Sequence, residues 1–230
     1  MNTQRLLTLT GAVLLTLGLA SCAQGPSVAE INRLTDQIVK ASFRDESFVK
    51  VERITATDET NRLCSQADAS GKPLDEATAK RIEVANMQSI KWPADGQFLG
   101  DWKQGEAIAQ SGRGLTWTDK ESDANGGNCY NCHQISKEEI SHGTIGPSLY
   151  QYGKIRGITD PNSAAAKPIV EYTWGKIWNS KAYNACSNMP RAGHMGILNE
   201  DQVRHIVALL LDPNSPVNKD RKSTRLNSSH

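Results

Sequence analysis

Apolar side chains recur along this chain at three- and four-residue intervals, the period of helices that seat one face on a core. Ile31, Leu34, Ile38 and Val39 make one such face, and Ile82, Met87 and Ile90 suggest another. Ser70-Gly71-Lys72-Pro73 between them predicts a turn, and Trp92-Pro93-Ala94-Asp95-Gly96 a boundary. Asp101 to Gln110 predicts a helix with Gly105 inside it. The last element is the best defined. Val203, Ile206, Val207 and Leu210 stand at i, i+3, i+4 and i+7, and Asn199 with Gln202 forms a variant capping box. Glu200 and Asp201 complement the helix dipole, and Asp212-Pro213 ends the helix. His205 lies off the apolar stripe and reads as a solvated residue.

The two ends follow other rules. Leu6 to Leu19 is an apolar run behind Arg5. It would span only ~21 Å as a helix against a hydrocarbon core of ~30 Å, so it predicts a secretory signal over residues 1–21, not a membrane span. The signal ends Leu19-Ala20-Ser21-Cys22, which resembles a bacterial lipoprotein box. That resemblance implies an acylated Cys22 as first mature residue; an ordinary signal-peptidase cut with Cys22 a bystander is the other reading. Asp220 to His230 resembles the conceptual translation of a sequencing adapter and is set aside from fold reasoning. Removing it takes the formal charge from +1 to −1, and removing Arg5 takes it to −2, which gives no reason to expect nucleic acid. About 198 residues remain from Cys22 to Lys219: a helical extension over 22–97 and a further domain over 98–219.

The chemistry begins at Cys129-Tyr130-Asn131-Cys132-His133. C-x-x-C-H is the attachment spacing of a c-type haem: two cysteines add to the vinyl groups and the histidine becomes an axial iron ligand. A thioredoxin-like pair would need an apolar strand before Cys129, where the chain reads Asp-Ala-Asn-Gly-Gly-Asn; a zinc site would need a further closely spaced ligand pair, which does not follow. One covalent haem is expected. Of five cysteines, Cys129 and Cys132 go to haem and Cys22 to lipid, leaving Cys64 and Cys186. In an oxidising compartment these predict a disulfide, with two buried thiols the alternative.

From Phe98 onward the pattern resembles a class I cytochrome c. The first helix carries Gly105 where such folds let two terminal helices cross, and Gly146-Pro147-Ser148-Leu149 matches the family's G-P-x-L turn. The resemblance implies an all-α fold in which the Pro147 carbonyl accepts a hydrogen bond from His133. It also implies a sixth iron ligand, for which Met87, Met189, Met195, His142, His194 and His205 are available. Class I members place a methionine just ahead of the final helix, often before proline, and Met189-Pro190 stands there. A thioether would stabilise reduced iron and suit an electron acceptor.

Two further stretches, Cys186-Ser187-Asn188-Met189-Pro190-Arg191-Ala192-Gly193-His194 and Ala208 to Lys219, resemble SoxX, the monohaem subunit family of bacterial sulfur oxidation. The resemblance implies a periplasmic heterodimer with a SoxA-like cytochrome, together an L-cysteine S-thiosulfotransferase that joins thiosulfate to a cysteine of the SoxYZ carrier. The catalytic residues would lie on SoxA, and this chain would pass electrons to a soluble cytochrome c. A free-standing periplasmic electron carrier and a haem sensor with a displaceable sixth ligand are the competing readings.

Overall fold

A computed structural model describes residues 25–219, apart from the side chain of Ile54. The expected signal peptide over 1–21, the lipid site Cys22 and the adapter-like stretch over 220–230 lie outside the described residues. The chain forms two compact units, one running to Asp45 and one from Glu46. Among the described residues there is no strand, only an isolated bridge between Glu46 and Val49, and no helix is long and apolar enough to cross a membrane.

The first unit contributes one described helix, α1 (Val28–Ser42). Ser27 caps it by accepting from the Glu30 amide, and its apolar stripe stays exposed at Val28, Ile31, Leu34 and Ile38.

The second unit is a helical body: α2 (Glu52–Thr55), α3 (Glu59–Ser70), α4 (Glu76–Gln88), α5 (Trp102–Gln110), α6 (Lys167–Trp178) and α7 (Glu200–Leu211). Short 3₁₀ turns stand at Cys129–Asn131, Lys154–Arg156 and Ser180–Ala182. α7 is the centre of the core. Its stripe of Val203, Ile206, Val207 and Leu210 is buried, and so are Ala208, Leu209 and Leu211, because α5 packs on one side and α6 on another. Asn199 and Gln202 form the full reciprocal capping box.

α5 crosses α7 at Gly105, where a Cβ would lie 2.1 Å from the His205 carbonyl oxygen and 3.0 Å from the Leu209 Cβ. The missing side chain is what allows the two backbones to touch. His205 departs from its expectation as a solvated residue. The crossing brings it to the start of α5, where its Nδ1 accepts from the Asp101 amide at 2.8 Å, satisfying a backbone donor that a helix start leaves without an intrahelical partner.

Residues 46–97 of the expected extension belong to the same compact unit as 98–219, so the 97/98 boundary does not divide the core. α4 packs on the turn at 180–182. There the wholly buried Asn179 donates to the Asn86 Oδ1 and to the Ser89 hydroxyl, both at 2.9 Å. Trp174, also wholly buried, donates its indole N–H to the Lys91 carbonyl at 2.9 Å and meets Phe98 edge-on at 5.6 Å. The chain after α7 is integral too: Val217 is buried, and the Asn218 amide oxygen accepts from the Gly153 N–H at 2.9 Å.

Candidate haem site

The attachment motif sits on a tight turn held by backbone hydrogen bonds on every side. Gly127 and Asn128 donate to Ile108 and Ser111 at 2.8 and 2.9 Å, pinning the motif to the end of α5. A Cβ on Gly126 would strike the Ser111 carbonyl oxygen at 1.9 Å, so the two glycines ahead of the motif let the chain pass this close. Cys132 and His133 donate back to the Cys129 carbonyl at 3.1 and 2.9 Å, which sets both cysteines and the histidine on one short turn. The following loop wraps round it: Gly143 donates to Tyr130, Gly146 to Cys132 and Leu149 to Gln134.

Within this frame the His133 Nδ1 lies 2.7 Å from the Pro147 carbonyl oxygen. A carbonyl can only accept, so Nδ1 carries the proton and Nε2 keeps its lone pair for a metal. A Cβ on Gly146 would stand 2.1 Å from the His133 ring, so glycine is required beside the proline. Cys129 and Cys132 are free thiols. Burial, and then the neighbouring Cys132, push the Cys129 thiol up to about 11, which keeps it protonated at neutral pH.

The residues fit a covalently held haem. Two thiols stand free at the right spacing, an imidazole is oriented with one nitrogen available, and a glycine leaves the ring its room. The buried Trp178 indole N–H has no hydrogen-bond partner among the described residues, as a group facing a bound cofactor would. Among the described residues no group of three or more His, Cys, Asp or Glu side chains gathers as for a bare metal ion. When bound, haem supplies an iron that gains and loses single electrons.

Met189 packs against the same core as Cys129. Its loop is tied down at four points. The Met189 carbonyl accepts from the buried Ser180 hydroxyl at 2.5 Å, and its N–H donates to the Ser187 oxygen at 3.2 Å. Cys186 is disulfide-bonded to Cys64 of α3, 122 residues away in sequence. Arg191, only 6 % exposed, pairs with Asp58, the N-cap of α3. Burial works to raise the Asp58 carboxyl, but the Asn61 amide and Arg191 outweigh it and hold it below its ordinary value. Asn125 and Gln202 bridge the loops either side: Asn125 donates to the Ile197 carbonyl at 2.9 Å, and Gln202 donates to the Asn125 carbonyl at 2.6 Å.

The other candidate ligands sit less favourably. Met195 is 56 % exposed, and Met87 on α4 is 36 % exposed. His142 contacts its own loop at the Gly143 carbonyl, and His205 is engaged by Asp101. His194 is exposed, with its backbone N–H on the Trp178 carbonyl. The Arg191–Asp58 pair, Ser180 and the buried Lys181 escaped sequence reasoning, because each is joined to the site by packing and none by local spacing.

This fold and site define a c-type cytochrome, and the cytochrome c family model matches residues 117–212. Over 219 residues the chain is 31 % identical to an uncharacterized lipoprotein of Aquifex aeolicus (strain VF5), covering 90 % of this chain and 97 % of that protein. The chain belongs to the family of that lipoprotein and carries a cytochrome c domain, which implies haem c and electron transfer.

Proposed function

We propose that the chain binds one haem c through Cys129 and Cys132, with His133 and Met189 as axial ligands, and serves as the electron-accepting subunit of a thiosulfate-oxidising heterodimer. The observation that carries the electron-transfer role is the clamped Met189 loop, held by Ser180, by the Cys64–Cys186 disulfide and by Arg191–Asp58. A sixth position held this firmly favours moving electrons over binding gas or substrate. His133 is kept in one tautomer by Pro147, and Cys129 packs against the apolar core.

Support for the heterodimer comes from the resemblance around Cys186 to His194 and from the surface near the motif. Ile140 and Ile145, in the loop that wraps the attachment turn, are 97 % and 76 % exposed. A permanent subunit would bury these two apolar side chains, with the exposed Lys137 and Glu138 of the same loop left to a polar rim. Joining thiosulfate to a carrier thiol releases two electrons and a proton, so the partner that bears the chemistry needs an acceptor beside it. The carrier SoxYZ and a soluble cytochrome c complete the proposed set of partners, and an acylated Cys22 would hold the assembly at a periplasmic membrane surface.

The test is co-expression with a SoxA-like subunit. A stable complex should form, and thiosulfate plus SoxYZ should reduce the haem of this chain. A chain that stays monomeric and is reduced only by general donors would be a free-standing carrier; reduced protein that binds carbon monoxide readily would refute Met189 ligation.

A further inference from the structure

A cavity of about 310 Å³ lies between α3 and the Met189 loop, lined among others by Asn61, Lys181, Ser187, Met189 and Arg191. Its charges do not balance. Lys181 and Arg191 are 7 % and 6 % exposed, and among the described residues Asp58 is the one carboxylate acting on both. Arg191 has that carboxylate as its partner, whereas among the described residues the Lys181 ammonium meets only the Ala185 carbonyl, at 3.5 Å. Three N–H groups on a nine-tenths-buried cation, served by one long contact, leave most of its hydrogen-bonding capacity unused. The Ser187 oxygen accepts from the Met189 N–H, so its own proton remains free to donate, and Asn61 adds an amide.

We infer that this cavity binds a small oxyanion such as phosphate, sulfate or thiosulfate, held by Lys181 and Arg191 and hydrogen-bonded by Asn61 and Ser187. Two buried cations against one carboxylate leave a single positive charge, which attracts an oxyanion that charge-assisted hydrogen bonds then hold. Without an anion the lysine can escape the imbalance only by shedding its proton, and burial followed by Arg191 pushes it in that direction. A haem carboxylate is the rival source of negative oxygens, because Met189 lines the same cavity, and the experiment below separates the two. Because Met189 lines it, an anion there stabilises the oxidised iron and lowers the reduction potential; this second effect rests on Met189 ligation, whereas binding itself does not.

The experiment uses the haem-loaded chain with sulfate, thiosulfate and phosphate as probes at constant ionic strength in chloride. Saturable binding by equilibrium dialysis and a rise in melting temperature are expected for the wild type. Lys181→Met, which keeps the length of the side chain, and Asn61→Asp, which puts a carboxylate at the lining, should each weaken binding at least ten-fold. Lys80→Met, on the exposed face of α4, should bind as wild type. A potential that falls with sulfate in wild type but not in Lys181→Met extends the site to the haem. Absence of saturable binding, equal binding in Lys181→Met, or a Lys181→Met effect confined to the vibrational signature of the haem carboxylates would overturn the proposal.

Discussion

Replacing Gly105 with alanine sets two effects of known sign against each other. Alanine is favoured over glycine in a helix by about 0.8–1.0 kcal/mol, so on propensity alone the variant gains stability. At this position the new Cβ would lie 2.1 Å from the His205 carbonyl oxygen, 2.7 Å from its carbon and 3.0 Å from the Leu209 Cβ. The first two are backbone atoms of α7, which no rotamer change can move. The helices must separate by roughly 1 Å to restore van der Waals distance, and such overpacking costs about 1–3 kcal/mol. Two hydrogen bonds span the same crossing and stretch with it: Gly100 N–H to the Arg204 carbonyl at 3.0 Å and Asp101 N–H to the His205 Nδ1 at 2.8 Å. Each contributes about 1 kcal/mol. The net expectation is a loss of about 2–4 kcal/mol, or about 4–16 °C in Tm for a unit of this size. Thermal melting of the haem-loaded protein by circular dichroism measures it, with Gln104→Ala on the exposed side of α5 as a control expected within about 0.5 kcal/mol. A Gly105→Ala protein that melts at or above the wild-type temperature would refute the close crossing.

Three further outcomes are expected. Replacing Cys64 and Cys186 together by serine reopens a 122-residue span and should lower stability by up to about 5 kcal/mol in denaturant titration; an unchanged midpoint would mean the bridge constrains nothing. Asp58 has a folded value below its ordinary 3.8, so the stability it contributes is present above that pH and is lost as pH falls through the lower folded value. Asp58→Asn should therefore be less stable than wild type at pH 7, with the two acid-unfolding curves converging below about pH 4; a constant offset down to pH 2 would contradict the ion pair. Met189→Ala should lose the sulfur-to-ferric-iron charge-transfer absorption and bind carbon monoxide when reduced, while haem stays covalently attached; wild-type behaviour would remove Met189 as the ligand.

How much of this was legible in the sequence depended on whether a local spacing or cap announces an element. α7 and α5 carry a cap or a boundary at a fixed offset and the chain shows them within a residue or so, while for α1 the apolar face of Ile31, Leu34, Ile38 and Val39 marks the helix but not its ends. α6 was missed although Val170, Thr173, Trp174 and Ile177 stand at i, i+3, i+4 and i+7 and Lys167 and Glu171 pair on the outer face, because the polar Thr173 breaks the apolar stripe and burial extends to Gly175 and Trp178. Met87 fails for a related reason. Its spacing places it on the apolar face of α4 with Ile82, but the buried position beside it belongs to Asn86, which Asn179 engages, and Met87 turns outward. The attachment turn was legible because covalent chemistry demands a fixed local spacing. The partners of the Met189 loop lie up to 133 residues away in sequence and had no such signature, except where two leftover cysteines pointed to each other.

The long-range partners also explain why the extension belongs to the haem-bearing unit. A methionine loop ahead of a final helix has no secondary structure of its own, and its position must be imposed from outside. Ser180 and Trp178 impose it from the α6 side, through the Met189 carbonyl and the His194 N–H. α3 imposes it from the other, by a covalent bond at Cys186 and an ion pair at Arg191 that bracket Met189 three residues before and two residues after. α4 is in turn fixed to the end of α6 through Asn86 and Asn179, so both supports share one frame. A thioether is a weak, neutral ligand with three rotatable bonds, and the entropy of ordering it competes directly with ligation. On the proposed ligation by Met189, clamping the backbone on both flanks removes the loop's own ordering cost before any iron is bound and leaves only the side-chain torsions to fix, which is the physical return on some fifty residues that carry no chemistry themselves.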